Sequence, residues 1–151
     1  MSVTASPAWS DLAVGDEIPG LALEMTATHI VAGAVATRDF MPVHHDRDYA
    51  NAQGAPDIFM NILSSTAHCS RWLTDWAGPD AMVRHLAIRL GVPVMPGTTL
   101  SFAGTITDLV EDDDEGRVDI GFRAATDQGD HLTGTATVTL PLTQRIETSS
   151  R

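Results

Sequence analysis

The sequence predicts an α+β domain in which one antiparallel sheet wraps around a central helix. Between Ile58 and Trp72, apolar residues recur every three or four positions, which is the spacing of a helix buried along one face. After Pro79 the chain changes to β-branched, alternating segments separated by clusters of Gly, Pro and Asp, the pattern of an antiparallel meander. We therefore expect one helix followed by a series of paired strands.

The boundaries of the domain follow from composition. Residues 1–12 are predicted to be a flexible N-terminus, residues 13–142 the folded domain, and residues 143–151 a loose polar tail. A turn at 14–20 leads into a first strand over 21–26, and Thr28 is expected to cap a short helix after it. Four further strands are predicted near 83–90, 98–110, 116–126 and 129–140.

Both ends of the central helix carry a sequence signal. Asp57 lies at its predicted start, where a carboxylate can accept hydrogen bonds from the free backbone amides. Gly78-Pro79 lies just beyond its end and prevents continuation. Cys69 is the chain's one cysteine, which excludes an internal disulfide, and its neighbours favour a helix-packing role over a nucleophile.

Length and hydropathy limit the class of protein. A chain of 151 residues, 43% of them hydrophobic, is long enough for one domain with its own core. No apolar run approaches the length of a membrane span, and residues 1–9 lack the basic and hydrophobic regions of a signal peptide. A cytoplasmic location without membrane attachment is therefore expected.

Charge bears on the possible partners. The chain has 20 acidic residues and 9 basic ones, all arginine, for a formal net charge of -11. Nucleic acid is an unfavourable partner for such a chain. Four adjacent acids at 112–115 predict the solvated tip of a hairpin. They lack the alternating ligands and distal glutamate of a calcium loop, so no metal site is predicted.

The motif that carries the chemistry is the stretch 39–46, which reads Asp-Phe-Met-Pro-Val-His-His-Asp. Pro42 cannot donate a backbone hydrogen bond and disfavours helix at Met41, so Asp39 and His44 are expected to flank a turn. A carboxylate and an imidazole that converge on one pocket can orient a water molecule and move its proton near neutral pH. Taken alone, such a pair is also consistent with a loop hydrogen bond or a turn cap.

The wider pattern resembles the MaoC-like hydratases and dehydratases, which have the hot-dog fold and act on acyl thioesters. The resemblance runs from about residue 13 to 140. It is carried by Arg38 to Asp46, Tyr49-Ala50, Gly54, the apolar run 58–63 and the segment 86–100. Residues 44–48, 57–59, 74–79 and 89–93 are most similar to the small MaoC-like subunit of actinobacterial steroid side-chain enoyl-CoA hydratases.

The resemblance implies addition of water to an α,β-unsaturated acyl-CoA by Asp39 and His44. His44 is the favoured base toward the attacking water, and Asp39 orients that water and takes part in returning a proton to the α-carbon. The adjacent His45 should point to the opposite side and have a structural role. Backbone amides at the helix start are expected to stabilise charge on the thioester oxygen. These are the amides of Ile58, Phe59 and Met60.

Two departures from the family pattern stand near this site. Many members carry His-Gly at about Phe59 and Met60, so the close approach that glycine allows is lost here. Many also carry an asparagine where this chain has Met41. Neither change touches the Asp/His pair.

The remaining predicted contacts concern the substrate and the partner. The acyl-CoA would contribute coenzyme A as part of the substrate, with no separate cofactor. An open sheet edge and family dimers predict a homo-oligomer, or a hetero-oligomer with a second MaoC-like subunit that helps an acidic chain bind coenzyme A phosphates. Substrate-binding residues are expected to be Gly54, Arg71, Trp72, Trp76, Arg84 and Arg89.

Several alternatives stay open from the sequence. Each arginine is also consistent with an ordinary surface charge, and the two tryptophans with core packing or a subunit interface. Thioester hydrolysis and a non-catalytic companion that shapes a partner's acyl-CoA tunnel are the alternative functions. His131 is expected to be exposed.

Overall fold

The computed structural model describes residues 5–112 and 115–142. Two single-turn 3-10 helices, Trp9–Asp11 and Pro42–His44, accompany three α-helices and five strands. In chain order these are β1 (Glu17–Met25), α1 (Ala27–Ala36), α2 (Arg47–Ala52), α3 (Ile62–Ala77), β2 (Met82–Leu90), β3 (Thr98–Asp112), β4 (Glu115–Thr126) and β5 (Gly129–Pro141).

The five strands form one antiparallel sheet in the order β1-β3-β4-β5-β2. The three strands β3, β4 and β5 follow one another as a meander and occupy the centre. Their inward side chains pair across the sheet, as with Ile106 opposite Ile120 and Val118 opposite Val138. Strands β1 and β2 each have one unpaired edge in the single chain.

The concave face of the sheet packs on α3. Trp72 in this helix is 2% exposed, stacks on Phe102 with ring centres 5.9 Å apart, and contacts Phe122 at 5.5 Å. Its indole N–H donates to the Pro19 carbonyl at 2.8 Å, so the one polar atom of this large core residue is satisfied. Full burial of a side chain of this size stabilises the fold by about 2–3 kcal/mol. The predicted arrangement of a sheet around one central helix is confirmed.

The four later strands lie within two residues of their predicted bounds, and β1 begins at Glu17 rather than Leu21. The start of α3 differs more. It begins at Ile62, and Asn61 rather than Asp57 caps it by accepting from the Ser64 amide at 3.0 Å. Similarly, Thr26 rather than Thr28 caps α1 by accepting from the His29 amide.

Residues that precede position 13 already contact the folded domain. The Ser6 hydroxyl accepts from the Asp80 amide, and the Trp9 ring covers Gly116 so closely that a Cβ there would lie 2.2 Å from it. Residues 1–4, the tip residues 113–114 and the predicted tail 143–151 lie outside the described residues. No helix in the described ranges combines the length and the hydropathy needed to cross a bilayer.

Candidate functional site

Asp39 is positioned by the C-terminus of α1. The Asp39 amide donates to Ala34 O at 2.9 Å and the Arg38 amide donates to Val35 O at 3.1 Å. These are the two hydrogen bonds of a Schellman motif. The residue at the left-handed position of this motif is Arg38, with φ of 57°, where glycine is usual. That conformation costs a non-glycine residue about 1 kcal/mol. The turn directs the chain away from the helix, so Asp39 begins the loop that leads to His44.

His44 ends the 3-10 turn that starts at Pro42, as the proline predicted. Its Nδ1 lies 2.7 Å from the Phe59 carbonyl oxygen, and its ring meets the Phe59 ring edge-on with centres 5.1 Å apart. A carbonyl can only accept, so Nδ1 carries the proton and Nε2 of the neutral ring has a free lone pair. His44 is 7% exposed, and the carbonyl and the ring of Phe59 hold its imidazole in place.

The free nitrogen of His44 faces Asp39. Nε2 lies 3.4 Å from Asp39 Oδ2, and the side chain of Asp39 is 27% exposed against 9% for His44. The pKa of Asp39 is lowered, chiefly by a hydrogen bond from the Asn61 side chain and further by the Met41 amide and His44, against an opposing effect of burial. An ionised carboxylate and a neutral imidazole both accept hydrogen bonds. A water molecule between them can therefore donate one proton to each.

Asn61 is a site residue that the sequence analysis missed. Its Nδ2 lies 2.9 Å from Asp39 Oδ2 and 2.8 Å from Thr37 Oγ1, while its side-chain oxygen caps α3. An asparagine directly before an apolar helical run is an N-cap signal, but Asp57 offered the same signal at an earlier position. The apolar residues from Ile58 to Met60 extended the helical pattern backwards and favoured the wrong cap.

The three amides predicted to stabilise the thioester oxygen are all engaged. Ile58 N donates to the Asp57 carboxylate at 2.7 Å, Phe59 N to Val43 O at 3.3 Å, and Met60 N to Val94 O at 2.9 Å. This segment precedes α3 and is tied to both flanking loops, so the prediction placed the helix start four residues too early. Within the described residues, the amides of Ile62 and Leu63 in the first turn of α3 have no hydrogen-bond partner.

The two tryptophans predicted to bind substrate have different surroundings. Trp72 is a core residue with no surface left for a ligand, so its assignment as a binding residue is wrong. Trp76, one turn later, is partly buried and packs against the same core. Trp72 lies on the face of α3 that packs against the sheet, where its ring fills the space beside Phe102 and Phe122.

Gly54 has a conformational role. Its φ of 89° places it at the left-handed position after α2, where its amide donates to Asn51 O and the next amide, of Ala55, donates to Ala50 O. No other atom lies within 4 Å of a Cβ built there. The glycine therefore ends α2 and shapes the loop that leads to the site.

The three predicted arginines lie on the surface. Arg71 is 3.3 Å from Asp75 on α3, and Arg84 on β2 contacts both carboxylate oxygens of Glu115 at 2.9 Å. Arg89 makes no ion pair within the described residues. None of the three contacts the Asp39 or His44 side chain in the hydrogen bonds and ion pairs of the described chain.

A second buried histidine lies behind the site. His131 is 3% exposed, in contrast to the exposed position expected from the sequence, because a bulge in β5 leaves it without a partner on β4 and buried next to Leu132. Its Nδ1 donates to Val92 O at 2.7 Å, and its Nε2 lies 2.9 Å from the Ser65 hydroxyl. Burial lowers its pKa. Ser65 in turn contacts the Asn61 carbonyl at 3.1 Å.

The chain around the pair exposes apolar side chains to solvent. Large exposed side chains flank it, and an open groove of about 590 Å³ runs along the outer face of α1. Across residues 5–112 and 115–142, no three His, Cys, Asp or Glu side chains converge as metal ligands would. Near the pair in sequence the exposed apolar residues are Val35, Phe40, Met41 and Tyr49, and Ile62 and Leu63 follow Asn61.

Comparison with known proteins extends this picture. The chain is 42% identical over 127 residues to the 3-oxo-4,17-pregnadiene-20-carboxyl-CoA hydratase beta subunit of Mycobacterium tuberculosis, covering 84% of this chain and 95% of that protein. No family model matches the chain.

Solved structures agree with the fold. A chain of the ChsH1-ChsH2 complex from M. tuberculosis superposes with a TM-score of 0.78 at 42% identity, over 85% of this chain and 98% of that one. The (R)-hydratase from A. caviae involved in PHA biosynthesis also gives a TM-score of 0.78, at 24% identity, over 87% of this chain and 98% of that one. The second likeness supports the fold alone.

Proposed function

This chain belongs to the MaoC-like hydratase and dehydratase family, and on that premise we propose that it hydrates an α,β-unsaturated acyl-CoA through the Asp39–His44 pair. The proposal rests on one observation, that His44 Nε2 and Asp39 Oδ2 face each other at 3.4 Å. The tautomer of His44 and the lowered pKa of Asp39 make both atoms acceptors. Together they can hold one water molecule by its two protons.

In the proposed reaction, His44 Nε2 removes a proton from this water as its oxygen bonds to the β-carbon. The carbon–carbon π bond breaks, and its electrons move through the α-carbon to the thioester oxygen. A proton then returns to the α-carbon from the Asp39–His44 pair, so that one water is added and no group leaves. The proton in transit is shared by the two residues and belongs to the pair.

Negative charge on the thioester oxygen needs hydrogen-bond donors. The amides of Ile58, Phe59 and Met60, predicted for this role from the sequence, already donate to other groups. We assign this role to the amides of Ile62 and Leu63. They are the free donors at the first turn of α3, where the helix dipole also favours negative charge. They follow Asn61 directly, so carboxylate, imidazole and oxyanion donors would surround one reacting group.

For the acyl group we propose a bulky, steroid side-chain thioester. The support is the 42% identity to a hydratase subunit whose name gives a pregnadiene-carboxyl-CoA. The open groove of about 590 Å³ along α1, the helix that ends shortly before Asp39, leaves room for an apolar group. For the coenzyme A phosphates, Arg71, Arg84 and Arg89 remain proposed contacts. Arg89 is the one without an ion pair in the described chain.

A second MaoC-like subunit is the proposed partner. The similar M. tuberculosis structure is a ChsH1-ChsH2 complex. In the present chain, edge strand β2 exposes Met82 and Leu90, which are 55% and 44% accessible, and Phe40 and Met41, between Asp39 and His44 in sequence, are also exposed. A partner on these surfaces would cover apolar area and can add the positive charge that an acidic chain lacks.

The test is a hydration assay on the purified chain, alone and with a candidate MaoC-like partner. Loss of the conjugated-thioester absorbance is followed with a short enoyl-CoA and with a steroid side-chain enoyl-CoA, while free thiol is measured in parallel. Absorbance loss without thiol release supports hydration, and preference for the larger ester supports the steroid assignment. Thiol release would support hydrolysis instead, and turnover by the partner alone at the full rate would support a companion role.

A further inference from the structure

The side chain of Asn61 has all its polar atoms committed. Its two amide protons go to Thr37 Oγ1 at 2.8 Å and Asp39 Oδ2 at 2.9 Å, and its oxygen accepts from Ser64 N at 3.0 Å. The residue is 2% exposed. Only one orientation of the side-chain amide satisfies these three hydrogen bonds. A flipped amide would set its oxygen against the Asp39 carboxylate and its NH₂ against the Ser64 N–H.

Thr37 removes the remaining freedom. Its hydroxyl donates its single proton within α1, to Gly33 O at 2.8 Å with Ala34 O at 3.2 Å, so toward Asn61 it can only accept. The amide is therefore clamped between the last turn of α1 and the first turn of α3. Asp39 Oδ2 accepts from a group whose direction is set by two helices.

The backbone of Asn61 is anchored independently. Its carbonyl accepts from the Ser65 amide at 3.1 Å, and the Ser65 hydroxyl lies 3.1 Å from that carbonyl and 2.9 Å from Nε2 of the buried His131. His131 donates to Val92 O, and Met60 N donates to Val94 O. The loop at 91–94 and β5 thus hold the segment that carries Asn61.

We propose that Asn61 is the positioning residue of the reacting pair, orienting the Asp39 carboxylate toward His44. The same Oδ2 that accepts from Asn61 faces His44 Nε2. A fixed donor on that oxygen leaves a defined direction for the shared water. This role deepens the proposed hydration and rests on it for its catalytic part, while the effect on Asp39 itself can be measured without any substrate.

Two substitutions separate positioning from helix capping. Asn61→Ser keeps a side-chain oxygen that can cap α3 but removes the NH₂ group that donates to Asp39. Asn61→Asp keeps the shape and the cap and places a second carboxylate beside the first. Thr26→Ala is the matched control, because it deletes the N-cap of α1 at the end of the helix remote from Asp39.

The first readout is the pKa of Asp39, followed by carboxyl ¹³C NMR in the folded protein, with the Asp39→Asn spectrum identifying the resonance. Asn61 is the largest cause of the lowered value. The neighbouring charged groups are His44 across the site and Arg38 before Asp39 in the chain. We expect Asn61→Ser to raise this pKa, Asn61→Asp to raise the apparent pKa of the carboxylate pair further, and Thr26→Ala to leave it unchanged. An unchanged value in both Asn61 variants would overturn the proposal.

The second readout is turnover against pH. Loss of an orienting neighbour typically costs about 10–100-fold, so Asn61→Ser should lower kcat by about this factor and move the acidic limb of the profile upward, with KM little affected. A shifted Asp39 pKa with wild-type kcat would overturn the catalytic part. If the wild-type chain hydrates no enoyl-CoA even with a partner, the proposed function fails, and the NMR result alone still decides whether Asn61 sets the state of Asp39.

Discussion

The imidazole Nδ1 of His44 donates to the Phe59 carbonyl oxygen at 2.7 Å, which directs the opposite nitrogen of the ring toward Asp39. The two residues are fifteen positions apart, and the carbonyl belongs to an extended segment that is itself tied to Val43 and Val94. The protonation pattern of the ring is thus set by the backbone. This hydrogen bond determines which atom can act as a base.

The tautomer can be measured directly. In ¹⁵N-labelled protein at a pH where His44 is neutral, we expect a protonated Nδ1 and an unprotonated Nε2, because a carbonyl cannot donate to the ring. The adjacent exposed His45 serves as an internal comparison and should show the mixed tautomers of a solvated ring. A neutral His44 protonated at Nε2 would remove the proposed base.

A tight contact in the core predicts the effect of one methyl group. A Cβ on Gly104 would lie 2.5 Å from the Trp72 ring and 2.9 Å from Phe122 Cβ. Gly104→Ala should therefore lower the free energy of unfolding by about 1–3 kcal/mol through overpacking.

Gly121→Ala is the matched control for that change, measured in the same urea titrations. Its Cβ would meet only Thr107 Cγ2, at 3.3 Å on the exposed side of the same two strands. We expect a change of less than about 1 kcal/mol, since alanine loses less backbone entropy than glycine on folding. Equal destabilisation by the two substitutions would contradict the packing described for Trp72.

Cys69 should be unreactive in the folded protein. It is fully buried in α3, and burial raises the pKa of its thiol to about 12. A thiol reagent at neutral pH should label it only as fast as the protein unfolds. Cys69→Ala with Thr74→Cys, which moves the thiol to the exposed face of the same helix, should be labelled at once. Rapid labelling of the wild-type chain under native conditions would contradict the buried position.

His131 predicts a pH dependence of stability. Burial holds its folded pKa below the ordinary 6.5, so above pH 6.5 both states are neutral at this residue and nothing is lost. As the pH falls below 6.5, His131 becomes protonated in the unfolded state but stays neutral in the folded state. Stability therefore decreases toward the lowered pKa, by at most about 1.4 kcal/mol per pH unit.

The control for this prediction is His131→Gln, since the buried ring no longer titrates in it. Denaturant titrations at pH 7 and at pH 5 should show a smaller loss of stability in the variant than in wild type. His68, whose pKa burial also lowers, is present in both proteins and cancels in the comparison. A loss of stability equal to that of wild type would contradict the assignment to His131.

The sheet and the central helix were predictable because their signals are periodic and local. Alternation in β4 gives Val118, Ile120 and Phe122 on the buried face, and Gly and Asp clusters mark the turns. The start of α3 could not be predicted. The apolar residues Ile58 to Met60 fit a helical spacing, but the amides of Phe59 and Met60 bond to Val43 and Val94, which are 16 and 34 residues away. Pairing between distant segments leaves no local pattern.

The same reason limits what the sequence says of the site. Asp39 and His44 share one short motif around Pro42, and their proximity follows from the turn. Asn61 lies 22 positions beyond Asp39, and only the packing of α3 against α1 brings its amide to the carboxylate. The exposed position predicted for His131 was wrong because a bulge interrupts the alternation of β5 there, and His131 and Leu132 are both buried.

The central claim is that Asp39 and His44 hold and activate the water, and their substitution tests it most directly. Enoyl-CoA hydration is measured for wild type, Asp39→Asn, His44→Ala and, as the adjacent control, His45→Gln, in the preparation with the partner if one is required. We expect losses of about 100-fold or more for the first two variants, the usual contribution of a positioned acid or base, and near wild-type turnover for His45→Gln. Hydration at the wild-type rate in either Asp39→Asn or His44→Ala would contradict the account.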